Sequence, residues 1–254
     1  MQTLFTGREL IELEEVDSTN NYALRLLHDR PVREGTAVLA RVQTAGKGQR
    51  GNSWLSRPGE NLTFSLVFHP VFLQAGRQFM LNKIASLAVR DFAQDTLKQP
   101  VHIKWPNDIY AGDRKIAGIL IESIYRGSGI LSSVIGIGMN INQVEFPSSL
   151  PNPVSFRMLT GASYDLSALF SGFCTYMEAR YLQLRTGRHE AIDSDYLAGL
   201  HRFDQWAQFH DGKGEFRGRI CGVSPAGKLI VEREGGQTNE FDFKEIAFTG
   251  SSSP

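Results

Sequence analysis

The chain has 254 residues, with 27 basic and 27 acidic side chains, a net charge of zero at pH 7 and a pI near 7.0. This balance argues against a protein that binds nucleic acid through bulk phosphate attraction, because such proteins carry a basic excess or patch. Apolar runs stay short of the ~18 residues that span a bilayer, and the first residues lack the apolar segment of a signal peptide. We therefore expect a cytoplasmic protein that does not bind a membrane. Cys174 and Cys221 lie far apart without metal-ligand spacing, which favours two reduced thiols over a zinc site.

Helix and strand patterns alternate along most of the chain. A first helix is predicted after the capping residues 17–19, and two more over 81–92 and 166–181, with helical spacing continuing near 196–200. The predicted strands are 36–41, 62–69, 102–104, 108–110, 115–125 and 131–140. The proline-rich segment 146–154 is predicted to be a loop. These patterns predict an α/β (α+β) protein in which a mixed sheet is flanked by helices.

The pattern changes near Gly214, where short strands alternate with glycine turns to the end of the chain. Such spacing is typical of a tiny β-barrel. We therefore predict a larger domain over residues 1–205 and a C-terminal barrel over 212–250.

A glycine-rich loop runs from Thr44 to Trp54 and contains Lys47 and Arg50. Glycines can adopt positive φ and let backbone N–H groups converge, the two cations supply positive charge, and the tryptophan offers a flat apolar face. This combination indicates a site for phosphate beside an aromatic base. A mobile surface turn with incidental charge would have a similar composition.

A second polar segment, Lys104-Trp-Pro-Asn-Asp108, is followed by Lys115-Ile-Ala-Gly118. The proline restricts its neighbours, so the Asn-Asp pair is expected at a tight turn before a strand. Asp and Asn bind a hard cation directly or through water, and lysine neutralises phosphate oxygens. The segment thus predicts a site for a magnesium-bound polyphosphate, although Asn-Asp is also an ordinary turn pair.

Five short motifs follow one another along the chain. They are Asp17-Ser-Thr-Asn20, Gly46-Lys-Gly-Gln-Arg-Gly51, Lys104-Trp-Pro-Asn-Asp108, Lys115-Ile-Ala-Gly118 and Gly136-Ile-Gly-Met-Asn140. Each is weak alone, but their order is that of biotin protein ligases, which the chain resembles over nearly its whole length in the monofunctional form. The resemblance implies a class II synthetase-like biotin/lipoate ligase domain followed by a small SH3-like β-barrel.

The activity that the resemblance implies is a two-step acyl transfer. The biotin carboxylate attacks the α-phosphorus of ATP to give biotinyl-5'-adenylate and pyrophosphate, and a lysine amine of a carrier protein then attacks the mixed anhydride. ATP with Mg²⁺ is required, biotin is the substrate, and no tightly bound redox cofactor is expected. The implied partner is the biotin carboxyl carrier domain of a biotin-dependent carboxylase, and the enzyme is expected as a monomer or homodimer.

The same resemblance assigns roles to residues of the five motifs, to Gln43 and to Trp54. The catalytic group consists of Lys115, which would bridge the biotin carboxylate and the α-phosphate, with Lys47 and Arg50. The implied biotin-binding residues are Ser18, Thr19, Asn20, Gln43, Gly46, Lys47, Gly48, Gln49, Lys115 and Gly118. The implied ATP-binding residues are Arg50, Trp54, Lys104, Asn107, Asp108 and Asn140, of which Asp108 would hold Mg²⁺ directly or through a water molecule. Ser18 and Thr19 could also cap the first helix, and Trp54 could belong to the core.

Three questions stay open, on retention of the adenylate, on the role of the barrel and on the reaction itself, whereas DNA binding is not expected. Several biotin ligases carry arginine where this chain has Gln49, and glutamine loses the charge that helps to retain the adenylate. Only sixteen residues precede Asp17, so we expect no helix-turn-helix domain and no DNA binding. The barrel could brace the larger domain or help to hold ATP or the acceptor. A lipoate or octanoyl protein ligase, and a biotin- or nucleotide-binding module without turnover, remain alternative functions.

Overall fold

The structure, a computed structural model, describes residues 2–249 with the exception of the Arg50 side chain. The helices are α1 (Thr19–Asp29), α2 (Phe79–Leu97), α3 (Phe156–Thr160), α4 (Leu166–Arg185) and α5 (His189–Gly199). The first sheet contains β1 (Leu10–Val16), β2 (Ala37–Gln43), β3 (Leu62–Phe68), β4 (Val101–Lys104), β5 (Asp108–Ala111), β6 (Arg114–Arg126) and β7 (Gly129–Met139). The second contains β8 (Trp206–His210), β9 (Glu215–Val223), β10 (Leu229–Arg233), β11 (Thr238–Phe241) and β12 (Ala247–Phe248).

The seven strands of the first sheet lie in the order β1-β2-β3-β7-β6-β5-β4. β1 runs parallel to β2, and the other neighbouring strands are antiparallel. Every residue of the central strand β3 is buried, because α2 and α4 cover one face of the sheet and α1 covers the other. The predicted mixed sheet flanked by helices is confirmed.

Two strands were not predicted from the sequence. β1 reads Leu-Ile-Glu-Leu-Glu-Glu-Val and has β2 as its only strand neighbour in the sheet. Because its other edge is open, it keeps exposed glutamates, which weaken the apolar pattern. β8 lies between the two predicted domains, where the sequence predicted no element.

Between residues 2 and 249, no helix combines the length and apolar character needed to cross a membrane.

The second sheet has the order β11-β10-β9-β8-β12, with antiparallel neighbours throughout. Its buried side chains, such as Phe209 and Val231, belong to the same core cluster as those of α2 and α4. Trp105 Nε1 also donates to Gly227 O at 2.9 Å, which ties the turn between β4 and β5 to this sheet. The predicted small β unit is therefore present, and its pairing begins at β8, before residue 212. Closure into an SH3-like barrel and the division into 1–205 and 212–250 remain predictions.

Candidate active site

A cavity of about 110 Å³ lies where β6 and β7 meet the amino end of α1 and the glycine-rich loop. Its walls bring together most of the residues that the sequence assigned to the site. These are Ser18, Thr19, Asn20, Gln43, Lys47, Gly48, Gln49, Trp54, Asn107, Asp108, Lys115 and Gly118. Gly46 lines an adjoining groove, and Lys104 and Asn140 lie outside the lining of both. The side chain of Arg50 falls outside the described part of the chain.

The first turn of α1 forms a polar end of the cavity. The backbone N and the Oγ1 of Thr19 both donate to Oε1 of Gln43, at 2.8 and 3.1 Å. The Gln43 side chain, which comes from β2, therefore accepts a backbone N–H that has no partner within the first turn of α1. Ser18 occupies the N-cap position and is buried, but its side chain makes no capping hydrogen bond. Gln43, and neither Ser18 nor Thr19, is therefore the side chain that caps the helix. The Ser18 hydroxyl remains available to a ligand.

Asn20 is 3% exposed, and its amide is engaged on all sides. Its Oδ1 accepts a hydrogen bond from Ser65 Oγ at 2.6 Å, and its Nδ2 donates to Glu122 Oε2 at 2.8 Å and to Leu120 O at 3.4 Å. Gly136 makes room for it, because a Cβ there would lie 2.2 Å from Asn20 Oδ1. These contacts hold α1 against the sheet and favour a positioning role. Direct biotin binding by Asn20 remains a prediction.

The glycine-rich loop folds back on itself over the cavity. The backbone N of Gly48 donates to Asn52 O at 2.7 Å, and the backbone N of Trp54 donates to Gly46 O at 2.9 Å. A Cβ on Gly46 would lie 2.4 Å from Trp54 O. The close return of the chain therefore explains this glycine without any contact to a ligand.

The indole ring of Trp54 lies against two glycines of the sheet. A Cβ on Gly118 would lie 3.1 Å from Trp54 Cζ3, and a Cβ on Gly138 would lie 2.2 Å from Trp54 Cε2. The indole Nε1 is buried and finds no hydrogen-bond partner among residues 2–249. Because the ring fills this groove, the cavity is smaller than the roughly 300–1,000 Å³ of typical ligand pockets.

A cation and a carboxylate meet at the cavity wall. Lys115 Nζ lies 2.6 Å from Asp108 Oδ1 and 5.7 Å from the centre of the Trp54 ring. The turn that carries Asp108 is fixed, because Asn107 Nδ2 donates to Ile119 O at 2.7 Å. The arrangement can bind an anion at the ammonium group and a cation at the carboxylate.

Lys104 belongs to a neighbouring cluster. Its Nζ lies 3.4 Å from Tyr110 Oη, and burial lowers the pKa of its amine. Burial also raises the pKa of Tyr110 to about 12. The ring of His201 lies 6.4 Å from that of Tyr110, and burial lowers the pKa of this imidazole to about 4, so it is neutral at pH 7. The predicted contact of Lys104 with the triphosphate has no direct support from this geometry and remains a prediction.

Asn140 joins three segments at the end of β7. Its Nδ2 donates to Lys115 O at 3.3 Å and to Val154 O at 3.2 Å, and its backbone N donates to Ile116 O at 2.8 Å. The residue is 4% exposed. These contacts support a role in positioning Lys115, while the contact with the nucleotide remains a prediction.

We expect Asn140→Ala to lower the free energy of unfolding by about 1–3 kcal/mol, because the buried carbonyl of Val154 would lose this donor. The carbonyl of Lys115 keeps its bond from Val154 N at 3.0 Å. Denaturant unfolding monitored by circular dichroism measures this change. An unchanged stability together with a raised KM for ATP would instead identify Asn140 as a nucleotide contact.

Gln49 is the position at which the sequence departs from the pattern that the resemblance implies. Its Oε1 is buried, lines the cavity wall with the rest of the side chain, and has no hydrogen-bond partner among residues 2–249. A buried acceptor without a donor costs free energy. A ligand that donates a hydrogen bond to this amide would remove the cost. Direct ligand binding by Gln49 remains a prediction.

Sequence reasoning missed several residues at the site. Phe64, Gly138 and Phe243 line the cavity, and Phe243 comes from the segment after β11. Its ring lies 6.3 Å from that of Trp105. The alternating glycines of the Gly136–Asn140 motif, which put two residues without side chains on one face of a strand, were a signal that could have revealed Gly138. No sequence signal singled out Phe243.

Known proteins were compared with this chain. The sequence model of the biotin/lipoate A/B protein ligase family matches residues 12–140. The biotin--[acetyl-CoA-carboxylase] ligase of Paracoccus denitrificans is 34% identical over 237 residues, which are 89% of this chain and 95% of that protein. The bifunctional ligase/repressor BirA of Bacillus subtilis is 30% identical over 243 residues, covering 93% of this chain and 73% of that protein. The structure of the biotin protein ligase from Aquifex aeolicus in complex with biotin and ATP superimposes with a TM-score of 0.78 at 25% identity, covering 96% of this chain and 100% of that one. The chain therefore belongs to the biotin protein ligases and is a ligase enzyme.

Proposed function

We propose that this enzyme activates biotin with ATP as biotinyl-5'-adenylate and transfers the biotinyl group to a lysine of a biotin carboxyl carrier domain. The observation that carries the proposal is the shared cavity. The Lys115–Asp108 pair, the polar end of α1 and the loop cation Lys47 all line it, although they come from distant parts of the chain. The solved relative from Aquifex aeolicus, which was obtained with biotin and ATP, supports both substrates.

The polar end of the cavity suits the ureido ring of biotin. The Ser18 hydroxyl and the Gln43 amide lie there, and the buried ring of Phe64 supplies an apolar wall. Buried polar groups give specificity, since an analogue without the matching donors and acceptors leaves them unpaired. Lys115 would then lie near the carboxylate end of the substrate.

In the first step, a carboxylate oxygen of biotin forms a bond to the α-phosphorus while the bond to pyrophosphate breaks. Both reactants are anions, so the enzyme must gather them and neutralise their repulsion. Lys115 Nζ would donate to the biotin carboxylate and the α-phosphate, leaving its resting partner Asp108. Lys47 would contact the phosphate from the loop.

Magnesium fits the acidic side of the site. Among the described residues, no three histidine, cysteine or carboxylate side chains converge as metal ligands. Magnesium commonly uses one or two carboxylates together with substrate phosphates and water, and Asp108 supplies one carboxylate at the cavity wall. The ion would neutralise phosphate charge at that position.

In the second step, the carrier lysine amine attacks the acyl carbon, AMP leaves, and an amide forms with loss of a proton. β5 pairs with β6 only as far as Gly118, whereas β7 pairs with β6 as far as Arg126. The outer edge of residues 120–126 therefore has no neighbouring strand in the described sheet. An open edge beside the cavity could pair with a strand of the carrier and present its lysine to the anhydride.

The decisive experiment incubates the enzyme with ATP, biotin and a carboxyl carrier domain and measures the mass of the carrier. We expect a mass gain equal to one biotinyl group that requires both ATP and biotin. Lipoate and octanoate in place of biotin serve as controls. A gain with lipoate but not with biotin would identify the alternative ligase, and no gain with bound biotin would identify a binding module.

The C-terminal sheet should contribute to nucleotide binding through Phe243. We expect Phe243→Ala to raise the KM for ATP about fivefold while biotin affinity stays constant, because an aromatic contact is worth on the order of 1 kcal/mol. Steady-state pyrophosphate release and biotin titration measure the two quantities. Phe216→Ala is the matched control, since Phe216 stacks on Phe209 and Phe241 within the same sheet. An equal effect in both variants would mean that Phe243 acts only through stability of the sheet.

A further inference from the structure

Glu122 connects the glycine-rich loop to the rigid part of the site, although no sequence motif singled it out. It lies on β6, four residues after Gly118, and its side chain is 31% exposed. One carboxylate oxygen accepts a hydrogen bond from Asn20 Nδ2 at 2.8 Å. The other lies 3.7 Å from Lys47 Nζ. The two oxygens thus face two different elements.

The Asn20 side of this connection is rigid. Asn20 is buried and is also hydrogen-bonded to Ser65 on β3, and its amide packs directly against the backbone of Gly136. Glu122 is therefore held in one orientation by a fully engaged amide. A carboxylate held in this way presents a fixed negative charge.

The Lys47 side is loose. A separation of 3.7 Å is an ion-pair distance and exceeds a normal hydrogen bond. The lysine ammonium keeps its donors free and can bind a ligand anion while it remains within the field of Glu122. Lys47 lies between Gly46 and Gly48, so attraction on its side chain acts on the backbone of the glycine-rich loop.

We propose that Glu122 is a positioning residue that holds the glycine-rich loop closed through Lys47 and so retains the activated acyl group at the site. This inference rests on the proposed function, because it assigns a consequence to closing the loop over an adenylate. The open and closed positions of the loop exchange, and the charge of Glu122 shifts that exchange toward the closed position. Glu122 itself touches neither reactant.

The effect of the Glu122 charge on loop closure is tested first in the ligand-free protein, independently of any activity. Endoproteinase Lys-C should cleave after Lys47 faster when the loop is open, because proteolysis acts on the transiently opened state. Cleavage after the exposed Lys213 provides an internal standard. We expect Glu122→Gln, which can still accept from Asn20, to be cleaved after Lys47 about two to five times faster than the wild type. Glu14→Gln is the matched control, since Glu14 pairs with Arg41 at 2.6 Å in an exposed position away from the cavity. Salt should accelerate cleavage of the wild type and leave Glu122→Gln nearly unchanged.

Cleavage of Glu122→Gln at the wild-type rate would overturn the proposal, as would an equal acceleration in Glu14→Gln. Glu122→Ala, which also loses the bond to Asn20, should be cleaved at least as fast as Glu122→Gln. A wild-type rate in Glu122→Ala would likewise overturn the proposal. These outcomes hold whether or not the protein biotinylates a carrier, so failure of the proposed function is recognised separately.

A second measurement follows release of biotinyl-5'-adenylate from the enzyme. Release passes through the open loop, so Glu122→Gln should accelerate it about two- to fivefold while the single-turnover rate of adenylation stays constant. In a Lys47→Ala background, Glu122→Gln should add nothing, because the partner of the charge is already absent. Independent, additive effects of the two substitutions would contradict action through Lys47.

Discussion

Lys115→Ala should lose most of the adenylation rate while the protein remains folded. A charge-assisted contact to developing charge in a closed site is worth on the order of 3 kcal/mol in the transition state, which corresponds to a loss of more than 100-fold. Lys115 is placed for this role, because its ammonium lies at the cavity wall 2.6 Å from Asp108. Single-turnover release of pyrophosphate measures the effect directly.

Two controls separate this role from a structural one. Lys213→Ala removes an exposed lysine from the C-terminal sheet region and should leave the rate unchanged. Lys115→Ala also leaves Asp108 without its partner, so the double variant Lys115→Ala/Asp108→Asn tests whether the uncompensated carboxylate causes the loss. Recovery of pyrophosphate release in the double variant, or near-normal release in Lys115→Ala alone, would contradict the assignment.

The grouping of the site could be predicted because its residues occur in short motifs with strong local constraints. In the glycine-rich loop, position 46 requires glycine, because a Cβ there would lie 2.4 Å from Trp54 O. The Asn-Asp turn before β5 is fixed by its proline and by the bond from Asn107 to Ile119. Such constraints restrict the residue types at these positions, so the motifs can be recognised in the sequence. The periodicity of apolar residues predicted the sheet and the helices around them.

Individual roles were harder to predict, because they depend on which side chains meet in three dimensions. Asn20 and Asn140 lie in motifs of the site, yet their amides are engaged by the protein itself. Glu122 and Phe243 stand outside every motif. The path of β6 brings Glu122 to Lys47, and the docking of the second sheet brings Phe243 to the cavity. Single residues of this kind have no local pattern that distinguishes them from ordinary strand or turn positions.

Gly138→Ala should prevent the glycine-rich loop from closing. The new Cβ would lie 2.2 Å from Trp54 Cε2 and 2.6 Å from Trp54 Nε1, so the indole must leave the groove between Gly118 and Gly138. Overpacking of this kind costs about 1–3 kcal/mol. Because the indole belongs to a loop that can move outward, we expect this cost to oppose closure and to leave the folded sheet intact. Adenylate formation should then fall by about 10- to 100-fold, with a change in tryptophan fluorescence.

Gly129→Ala is the matched control, since it lies on the same strand and its Cβ would meet nothing nearer than 3.8 Å. It should retain normal activity and fluorescence. The three atoms nearest to the Cβ at position 138 all belong to Trp54. Gly138→Ala should therefore cost little further activity in a Trp54→Ala background. If Gly138→Ala is equally harmful with and without the indole, the glycine is needed for approach of a ligand to the strand. The groove would then be a binding surface in its own right, with Trp54 covering it until the ligand arrives.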